Sequence, residues 1–346
     1  MGDHEVALSP SYALKENRRY MMKYIDLHCD TLLAAFEKGK TQINVMPEAM
    51  IDVERLKKGG AAAQFFAIFM LPEAEKNNSG RMIPEDDVYI SELSGILHNS
   101  IQENEKNLAF ARNGAQLEEN LKNGKISAFL TLEDGRSING SMEKLERYYD
   151  MGVRLISLTW NYANCLGFPN SPDRELMSKG LTAFGKEAVE RMEELGMLVD
   201  VSHLSDGGFY DVADICKGPF VASHSNCRSL TPHPRNLTDE MIRIVAEKGG
   251  VIGLNFAPGF LGKDIDTRDS RVEDMIRHLQ HLWNKGGEDC LALGSDLDGI
   301  GGNLEIGSPD QMPRLFDAMS KAGFSARMIE KMAYENAARV ICDVMK

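Results

Sequence analysis

Eight short apolar segments recur along the chain, and each is followed by a longer segment with helical spacing. Most of these segments are hydrophobic throughout, which is typical of parallel strands that are buried on both faces. Eight consecutive strand–helix units predict an α/β fold, a (β/α)8 TIM-like barrel, in preference to an open doubly wound sheet. The predicted strands are residues 23–28, 61–70, 126–132, 153–159, 197–202, 219–223, 250–256 and 291–295.

The connections between these strands predict where the barrel is elaborated. Residues 71–122 are too many for one crossover, so we expect extra helices after the second strand. Residues 160–180 are rich in Asn, Pro and Gly and predict a long loop at the C-terminal rim. Ser141 and Thr238 stand at predicted helix N-caps, and Gly196 stands where a helix should end.

The length and composition of the chain indicate one large domain. The 346 residues, 43% of them hydrophobic, suffice for a single barrel with a large core. We expect residues 23–346 to form one (β/α)8 domain, preceded by an N-terminal extension of residues 1–22.

Charge and cysteine usage restrict the partners and the compartment. A formal net charge of −13, with no strongly basic stretch, argues against nucleic-acid binding. The six cysteines are dispersed without a C-x-x-C motif, which indicates free thiols in a reducing compartment. The sequence shows no signal-peptide pattern and no apolar run long enough to span a bilayer. We therefore expect a cytoplasmic protein that does not bind membranes.

Metal-binding side chains stand at the ends of several predicted strands. His28 and Asp30 end the first strand, Glu133 follows the third, His203 follows the fifth and His224 follows the sixth. Catalytic groups of (β/α)8 barrels lie at the C-terminal ends of the strands, where these side chains would meet. Imidazole and carboxylate groups are ligands of zinc and similar ions. The sequence therefore predicts a metal centre at this rim.

The number of ligands predicts two ions. Five protein ligands exceed what one tetrahedral zinc with an open position requires, and they suit two Zn²⁺ ions that share a carboxylate and a hydroxide. We expect Glu133 to bridge the ions. His28 and Asp30 would complete one coordination sphere, and His203 and His224 the other. A positively charged centre of this kind activates water, which predicts a hydrolase.

Three further side chains near the predicted rim have assignable roles. Asp296 ends the eighth strand, and we expect it to carry a proton from the water to the leaving group; the alternative is a sixth metal ligand. Asp298 is expected to bond a loop. Arg235 lies in a Pro-containing loop and is expected to hold a substrate carboxylate, with a surface salt bridge as the alternative.

The remaining histidines are expected to have no part in this centre. His233 is interpreted as a loop residue. His278 and His281 are three residues apart on a predicted helix, but no ligand at a strand end accompanies them, so we expect both to pack.

Taken in order along the chain, these segments resemble the membrane (renal) dipeptidase family, whose members are binuclear zinc metallopeptidases of the amidohydrolase-like barrel superfamily. The resemblance rests on residues 25–31, 132–135, 201–203, 223–225, 235–236 and 294–299. It implies the same ligands, substrate binding by Arg235 and proton transfer by Asp296. It also implies a zinc-dependent dipeptidase that accepts small dipeptides, including those with a C-terminal D-residue, and that can form a homodimer.

The chain departs from the animal members of this family after the fourth strand. Those members carry a substrate-binding His after the Leu-Thr pair, whereas Trp160 and Asn161 follow it here. We expect Trp160 and Asn161 to line the substrate pocket instead.

Two other functions are open from sequence. A lactonase, deaminase or phosphotriesterase could use a similar centre, although these relatives usually begin with His-x-His and bridge their metals with a lysine. A catalytically silent metal-binding barrel is the other alternative, and the presence of Asp296 argues against it.

Overall fold

The computed structural model describes residues 22–71 and 83–346, so the predicted extension lies, apart from Met22, outside the described residues. Eight parallel strands close into a barrel in the order β1, β2, β4, β5, β6, β7, β8 and β10, and β10 pairs with β1 again. The strands are β1 (Tyr24–Cys29), β2 (Ala61–Phe69), β3 (Leu108–Phe110), β4 (Ile126–Glu133), β5 (Val153–Ser157), β6 (Leu198–Asp200), β7 (Val221–Ala222), β8 (Val251–Leu254), β9 (Asp269–Ser270), β10 (Leu291–Leu293) and β11 (Asn303–Leu304).

Helices surround the barrel. They are α1 (Thr31–Glu37), α2 (Val53–Gly59), α3 (Asp86–Glu103), α4 (Gly114–Lys122), α5 (Met142–Met151), α6 (Arg174–Met177), α7 (Ala183–Leu195), α8 (Asp206–Ile215), α9 (Asp239–Glu247), α10 (Pro258–Leu261), α11 (Val272–Gly286), α12 (Pro313–Lys321), α13 (Ala326–Glu330) and α14 (Asn336–Val344). The fold is therefore the predicted (β/α)8 TIM-like barrel.

Two apolar cores stabilise this arrangement. One fills the barrel with side chains from each of its eight strands, among them Phe65 and Phe129, whose rings stack 4.6 Å apart. Val340 and Ile341 of α14 belong to the same cluster, so the last helix covers the N-terminal end of the barrel. The larger core lies between the strands and the surrounding helices. With its lower end filled, the barrel is open to ligands at its C-terminal rim.

The predicted helix ends agree with the structure. The Ser141 side chain accepts a hydrogen bond from the Lys144 N–H, and the Thr238 side chain accepts one from the Met241 N–H. Each bond satisfies a backbone donor that the first helical turn leaves unpaired. Gly196 follows α7 with a φ of 75°, a left-handed conformation that glycine adopts without strain.

The elaborations agree with the sequence in outline. The long excursion after β2 contains α3 and α4, which confirms helices there, and the short strand β3 between them was not predicted. Residues 160–180 form a loop that includes the single turn α6. No helix within residues 22–71 and 83–346 combines the length and hydropathy needed to cross a bilayer. All six cysteines are free.

Candidate metal centre

The ends of β1 and β10 are tied together at the rim. The Asp30 N–H donates to the Leu297 carbonyl at 3.0 Å, and the Asp296 N–H donates to the His28 carbonyl at 3.2 Å. Ile25 and Leu27 face the barrel interior, so strict alternation would turn His28 outward. The pairing of β1 with β2 shifts register between Asp26 and Cys29, and this irregularity lets His28 join the site.

His28, Asp30 and Glu133 form one half of the site. His28 Nε2 lies 3.4 Å from Asp30 Oδ2 and 3.2 Å from Glu133 Oε2. All three residues are buried. The three side chains come from the ends of β1 and β4, as the sequence predicts.

His203 and His224 form the other half around the second oxygen of the same carboxylate. Glu133 Oε1 lies 3.1 Å from His203 Nε2 and 3.7 Å from His224 Nε2. The two Nε2 atoms are 3.1 Å apart. Glu133 thus turns one oxygen toward His28 and the other toward the His203–His224 pair, which is the geometry that a bridging carboxylate requires.

The polar atoms at this site fit a metal better than they fit one another. Among the described residues, neither ring nitrogen of His28 forms a hydrogen bond, and Asp30 Oδ1 is also buried without a partner. Buried polar groups are rarely left unpaired, because each loses its hydration without replacement. Imidazole and carboxylate groups are among the ligands that zinc takes in catalytic sites. His28, Glu133 and His224, and separately His28, Asp30 and Asp296, each bring three ligand atoms within 4.8 Å of one another.

Burial also holds His203 and His224 in the form that binds metals, whereas the carboxylates of Glu133 and Asp30 raise the pKa of His28. Desolvation, followed by the positive charge of Arg235, keeps the pKa of His203 well below its usual range. Desolvation and the neighbouring His28 do the same to the pKa of His224. A metal ligand must be unprotonated, so this environment favours binding. Burial raises the pKa of Glu133 to about 8, and a divalent cation beside it would favour the ionised form.

Asp296 lies beside the ligands with one oxygen already engaged. Its Oδ2 accepts a hydrogen bond from Asn255 Nδ2 at 2.9 Å, and its Oδ1 is 3.8 Å from His28 Nε2. Burial raises the pKa of Asp296 to about 6, in the range suited to a group that exchanges protons near neutrality. Asp296 has a φ of 63° and His203 a φ of 68°. Such left-handed backbone is uncommon outside glycine and clusters at functional sites.

Arg235 is a buried cation whose partners are neutral. Its Nη1 donates to Ser225 Oγ and its Nη2 to the His224 carbonyl, both at 3.2 Å. The guanidinium lies over the Phe260 ring, 5.4 Å from the ring centroid, and its buried Nε has no partner among the described residues. Burial lowers the pKa of Arg235. A buried guanidinium of this kind is prepared for an anionic ligand, and the alternative of a surface salt bridge does not apply.

A cavity of about 530 Å³ opens above these groups. Trp160 and Asn161 both line it. Trp160 packs edge-on against Phe69 with ring centroids 4.9 Å apart, forming an apolar wall. Asn161 also contacts a predicted ligand, since its Oδ1 lies 3.2 Å from His203 Nδ1. Asn161 therefore both contacts His203 and faces the cavity.

The other polar residues singled out in the sequence have different surroundings. Asp298 accepts hydrogen bonds from Thr31 Oγ1 at 2.7 Å and from the Met50 N–H at 2.6 Å, so it fastens a loop as expected. His278 is fully buried on α11, and His281 is paired with Asp239 at 2.7 Å. Both lie apart from the centre. His233 lines the cavity wall, stacked at an angle on Phe260 with centroids 4.7 Å apart.

Three contributors to the site were not foreseen. Asn255 follows β8 and fixes Asp296; its signal was a polar residue within the otherwise apolar segment 250–256. Asn170 donates to the His203 carbonyl from its backbone N–H at 2.7 Å and from Nδ2 at 3.0 Å. A Cβ at Gly299 would lie 2.1 Å from Asp30 Oδ2, so only glycine leaves room for that carboxylate.

Comparisons with known proteins agree with this geometry. A family model described as "Membrane dipeptidase (Peptidase family M19)" matches residues 17–346. A Klebsiella pneumoniae protein encoded in the pqqA 5′ region is 35% identical over 272 residues, which cover 76% of this chain and 98% of that protein.

Two solved structures share the fold over nearly their whole length. A metallopeptidase described as dipeptidase AC, of family M19, has a TM-score of 0.83 and 28% identity, and the match covers 94% of this chain and 99% of that one. A Rhodobacter sphaeroides metallopeptidase bound to a phosphinate mimic of the dipeptide L-Ala-D-Ala has a TM-score of 0.82 and 27% identity, with the same coverage.

Proposed function

Because this chain belongs to the membrane dipeptidase family, peptidase family M19, we propose that it is a metallo-dipeptidase whose active site is the rim built around Glu133. The observation that carries the proposal is the placement of the two Glu133 oxygens, one toward His28 and the other toward His203 and His224. The family match does not favour the alternative lactonase, deaminase or phosphotriesterase.

Two Zn²⁺ ions are the cofactors that the ligands suit. His28 and Asp30 would hold one ion, His203 and His224 the other, and Glu133 both. When bound, such ions polarise the scissile carbonyl and lower the pKa of the attacking water. The ligand side chains are buried, which keeps bulk water from competing for their lone pairs.

Arg235 binds the C-terminal carboxylate of the substrate. Its present hydrogen-bond partners, a serine hydroxyl and a backbone carbonyl, are both neutral. A carboxylate held by the guanidinium would lie within the same cavity as Glu133 and Asp296. This arrangement limits the substrate to short peptides, because a longer chain has no carboxylate at that position.

Asp296 transfers the proton. Asn255 holds Oδ2, which leaves Oδ1 on the side of His28 and the predicted ligands. The carboxylate takes a proton from the attacking water and returns it to the departing amine.

The cavity wall bears on the choice of substrate. Phe69 and Trp160 offer an apolar surface to the side chain of one substrate residue. The Rhodobacter sphaeroides relative binds a mimic of a dipeptide that ends in D-Ala. We extend this binding to the present chain and include dipeptides with a C-terminal D-residue among its substrates.

Compartment and assembly complete the proposal. Six free cysteines suit a reducing compartment, which supports a cytoplasmic location. A homodimer is the assembly that the family resemblance implies, and light scattering on the purified protein tests it.

The deciding experiment combines metal quantitation with a substrate panel. The protein is expected to carry zinc and to cleave L-Ala-L-Ala and L-Ala-D-Ala, but not lactones or phosphotriesters. His203→Ala should lose zinc and turnover together. His281→Ala, a matched change outside the site, should retain both. Turnover of a lactone or a phosphotriester without dipeptide cleavage would contradict the proposal.

A further inference from the structure

A polar layer lies inside the barrel directly below the candidate ligands. It consists of Ser157 on β5, Asp200 on β6 and Ser223 immediately after β7, and all three are essentially inaccessible to solvent. Each stands two residues after a member of the apolar cluster that fills the barrel, so alternation turns it inward. Those members are Leu155, Leu198 and Val221. A carboxylate here is unexpected, because barrel interiors are usually filled by apolar side chains.

Asp200 is fully satisfied by hydrogen bonds. Its Oδ1 accepts from the backbone N–H groups of Ser202 at 3.0 Å and Ser223 at 2.8 Å. Its Oδ2 accepts from the hydroxyls of Ser157 at 2.5 Å and Ser223 at 2.6 Å. These donors come from three neighbouring strand ends, so the carboxylate fixes the direction in which each hydroxyl points.

The direction of the Ser223 hydroxyl determines the proton of the neighbouring histidine. A serine hydroxyl has one proton, and Ser223 gives it to Asp200. The Ser223 oxygen lies 2.7 Å from His224 Nδ1, and it can therefore only accept at that contact. Nδ1 must carry the proton of the neutral imidazole, which leaves Nε2 with a free lone pair. His224 Nε2 is the atom that faces Glu133 Oε1.

We propose that Asp200 is a positioning residue which acts through Ser223 to hold His224 in the tautomer that can bind a metal ion. The inference rests on the proposed function, since it concerns the affinity of the same centre. Asp200 touches neither the ligand atom nor the cavity, and its effect passes through one hydroxyl. Partners of this kind orient ligating imidazoles and raise metal affinity.

The chain offers a matched pair of variants. Ser157 and Ser223 both donate to Asp200 Oδ2, both are buried, and only Ser223 contacts His224. Ser223→Ala removes the acceptor at Nδ1 and should weaken zinc binding by about 10–100-fold. Ser157→Ala removes an equivalent hydrogen bond to Asp200 and should leave zinc affinity at the wild-type value.

Asp200→Asn should reverse the hydrogen bond between Ser223 and His224, not only weaken it. The amide oxygen must replace Oδ1, because two backbone N–H groups point at that position. The amide NH₂ then replaces Oδ2 and donates to Ser223, which turns the serine proton toward His224 Nδ1, a nearer acceptor at 2.7 Å than Ser202 Oγ at 3.3 Å. The imidazole must move its own proton to Nε2, the atom that would bind the ion. We therefore expect an inverted His224 tautomer in Asp200→Asn and a lower zinc affinity than in Ser223→Ala.

The test is ¹⁵N NMR of the histidine rings in the metal-free protein, together with zinc titration of the same four proteins. We expect the Nδ1–H tautomer of His224 in the wild type and in Ser157→Ala, and the Nε2–H tautomer in Asp200→Asn. Equal zinc affinities in Ser157→Ala and Ser223→Ala would overturn the inference, as would an unchanged tautomer in Asp200→Asn. Should Asp200→Asn fail to fold, the serine pair decides.

Failure of the inference and failure of the proposed function are distinguishable. A wild-type protein that binds zinc with the expected tautomer but cleaves no dipeptide would contradict the function and support the positioning role. A protein that cleaves dipeptides while all variants bind zinc with equal affinity would support the function and contradict the positioning role.

Discussion

Asp296 is the residue at which proton transfer and metal binding can be separated. Asp296→Asn preserves the shape of the side chain and can still contact Asn255, but it cannot exchange a proton. We expect kcat to fall by about 10²–10⁴-fold, the usual contribution of a general acid–base group, with zinc content unchanged. Steady-state kinetics with metal analysis checks this. Loss of zinc in the variant would identify Asp296 as a sixth ligand instead.

Arg235 is the residue that selects the substrate carboxylate. Charged hydrogen bonds of this kind contribute about 1.5–3 kcal/mol, so amidating the dipeptide C-terminus should raise KM by about 10–100-fold. Arg235→Gln should raise KM for the free dipeptide by a similar factor and should change KM for the amide little. Independent, additive effects of the two changes would remove Arg235 from this role.

Sequence predicted the five ligand candidates because each follows a strand, and strand ends of a barrel meet at one rim. It could not predict what holds those ligands in place. The link from Asp200 to His224 depends on the pairing of Asp200 with Val221 across two strands, and local sequence carries no trace of it. The contact of Asn161 with His203 likewise required the path of a loop. The sequence therefore predicted which residue types stand at the rim, but not the directions of the hydrogen bonds that hold them.

The helix α11 contains a histidine that should make stability depend on pH. His278 is fully buried; its Nδ1 accepts from the Cys227 N–H at 3.1 Å and its Nε2 lies 3.1 Å from the Leu261 carbonyl. Only the neutral ring can form both contacts, because Nδ1 must accept a hydrogen bond and Nε2 must donate one. Burial lowers the pKa of His278 to about 4, below the value of 6.5 expected in the unfolded chain.

The sign of this effect follows from proton uptake. Between pH 6.5 and 4 the unfolded chain binds a proton that folded His278 does not, so the free energy of unfolding should fall as pH is lowered through this range. The loss is about 3 kcal/mol at the lower end. Chemical denaturation at several pH values checks it, with His278→Gln as the control whose profile should be flatter. An identical pH dependence in both proteins would contradict the assignment.

Elements were predicted where one physical signal dominated. Each of the eight barrel strands is found within a few residues of its predicted bounds. The prediction succeeded because short, continuous apolar runs are typical of parallel strands that are buried on both faces. The segments β3, β9 and β11 have three or two residues each and carry no pattern of their own. They form because neighbouring strands supply hydrogen-bonding partners, which only the assembled fold provides.

In the molecule as a whole, the side chains that stabilise the fold and those that carry the chemistry lie at opposite ends of the barrel. Apolar side chains fill the lower barrel and α14 covers its N-terminal end, while polar side chains occupy the C-terminal rim. This division was predictable from eight strand–helix units, because the fold itself assigns catalysis to one end. The proposed pair of ions is a property of this rim as a unit, since the ligands come from four separate strands.

The most direct test is an anomalous difference map at the zinc edge from crystals of the metal-loaded protein. We expect two peaks per chain, one beside each oxygen of Glu133, with His28 and Asp30 at one and His203 and His224 at the other. A single peak, or peaks away from Glu133, would contradict it.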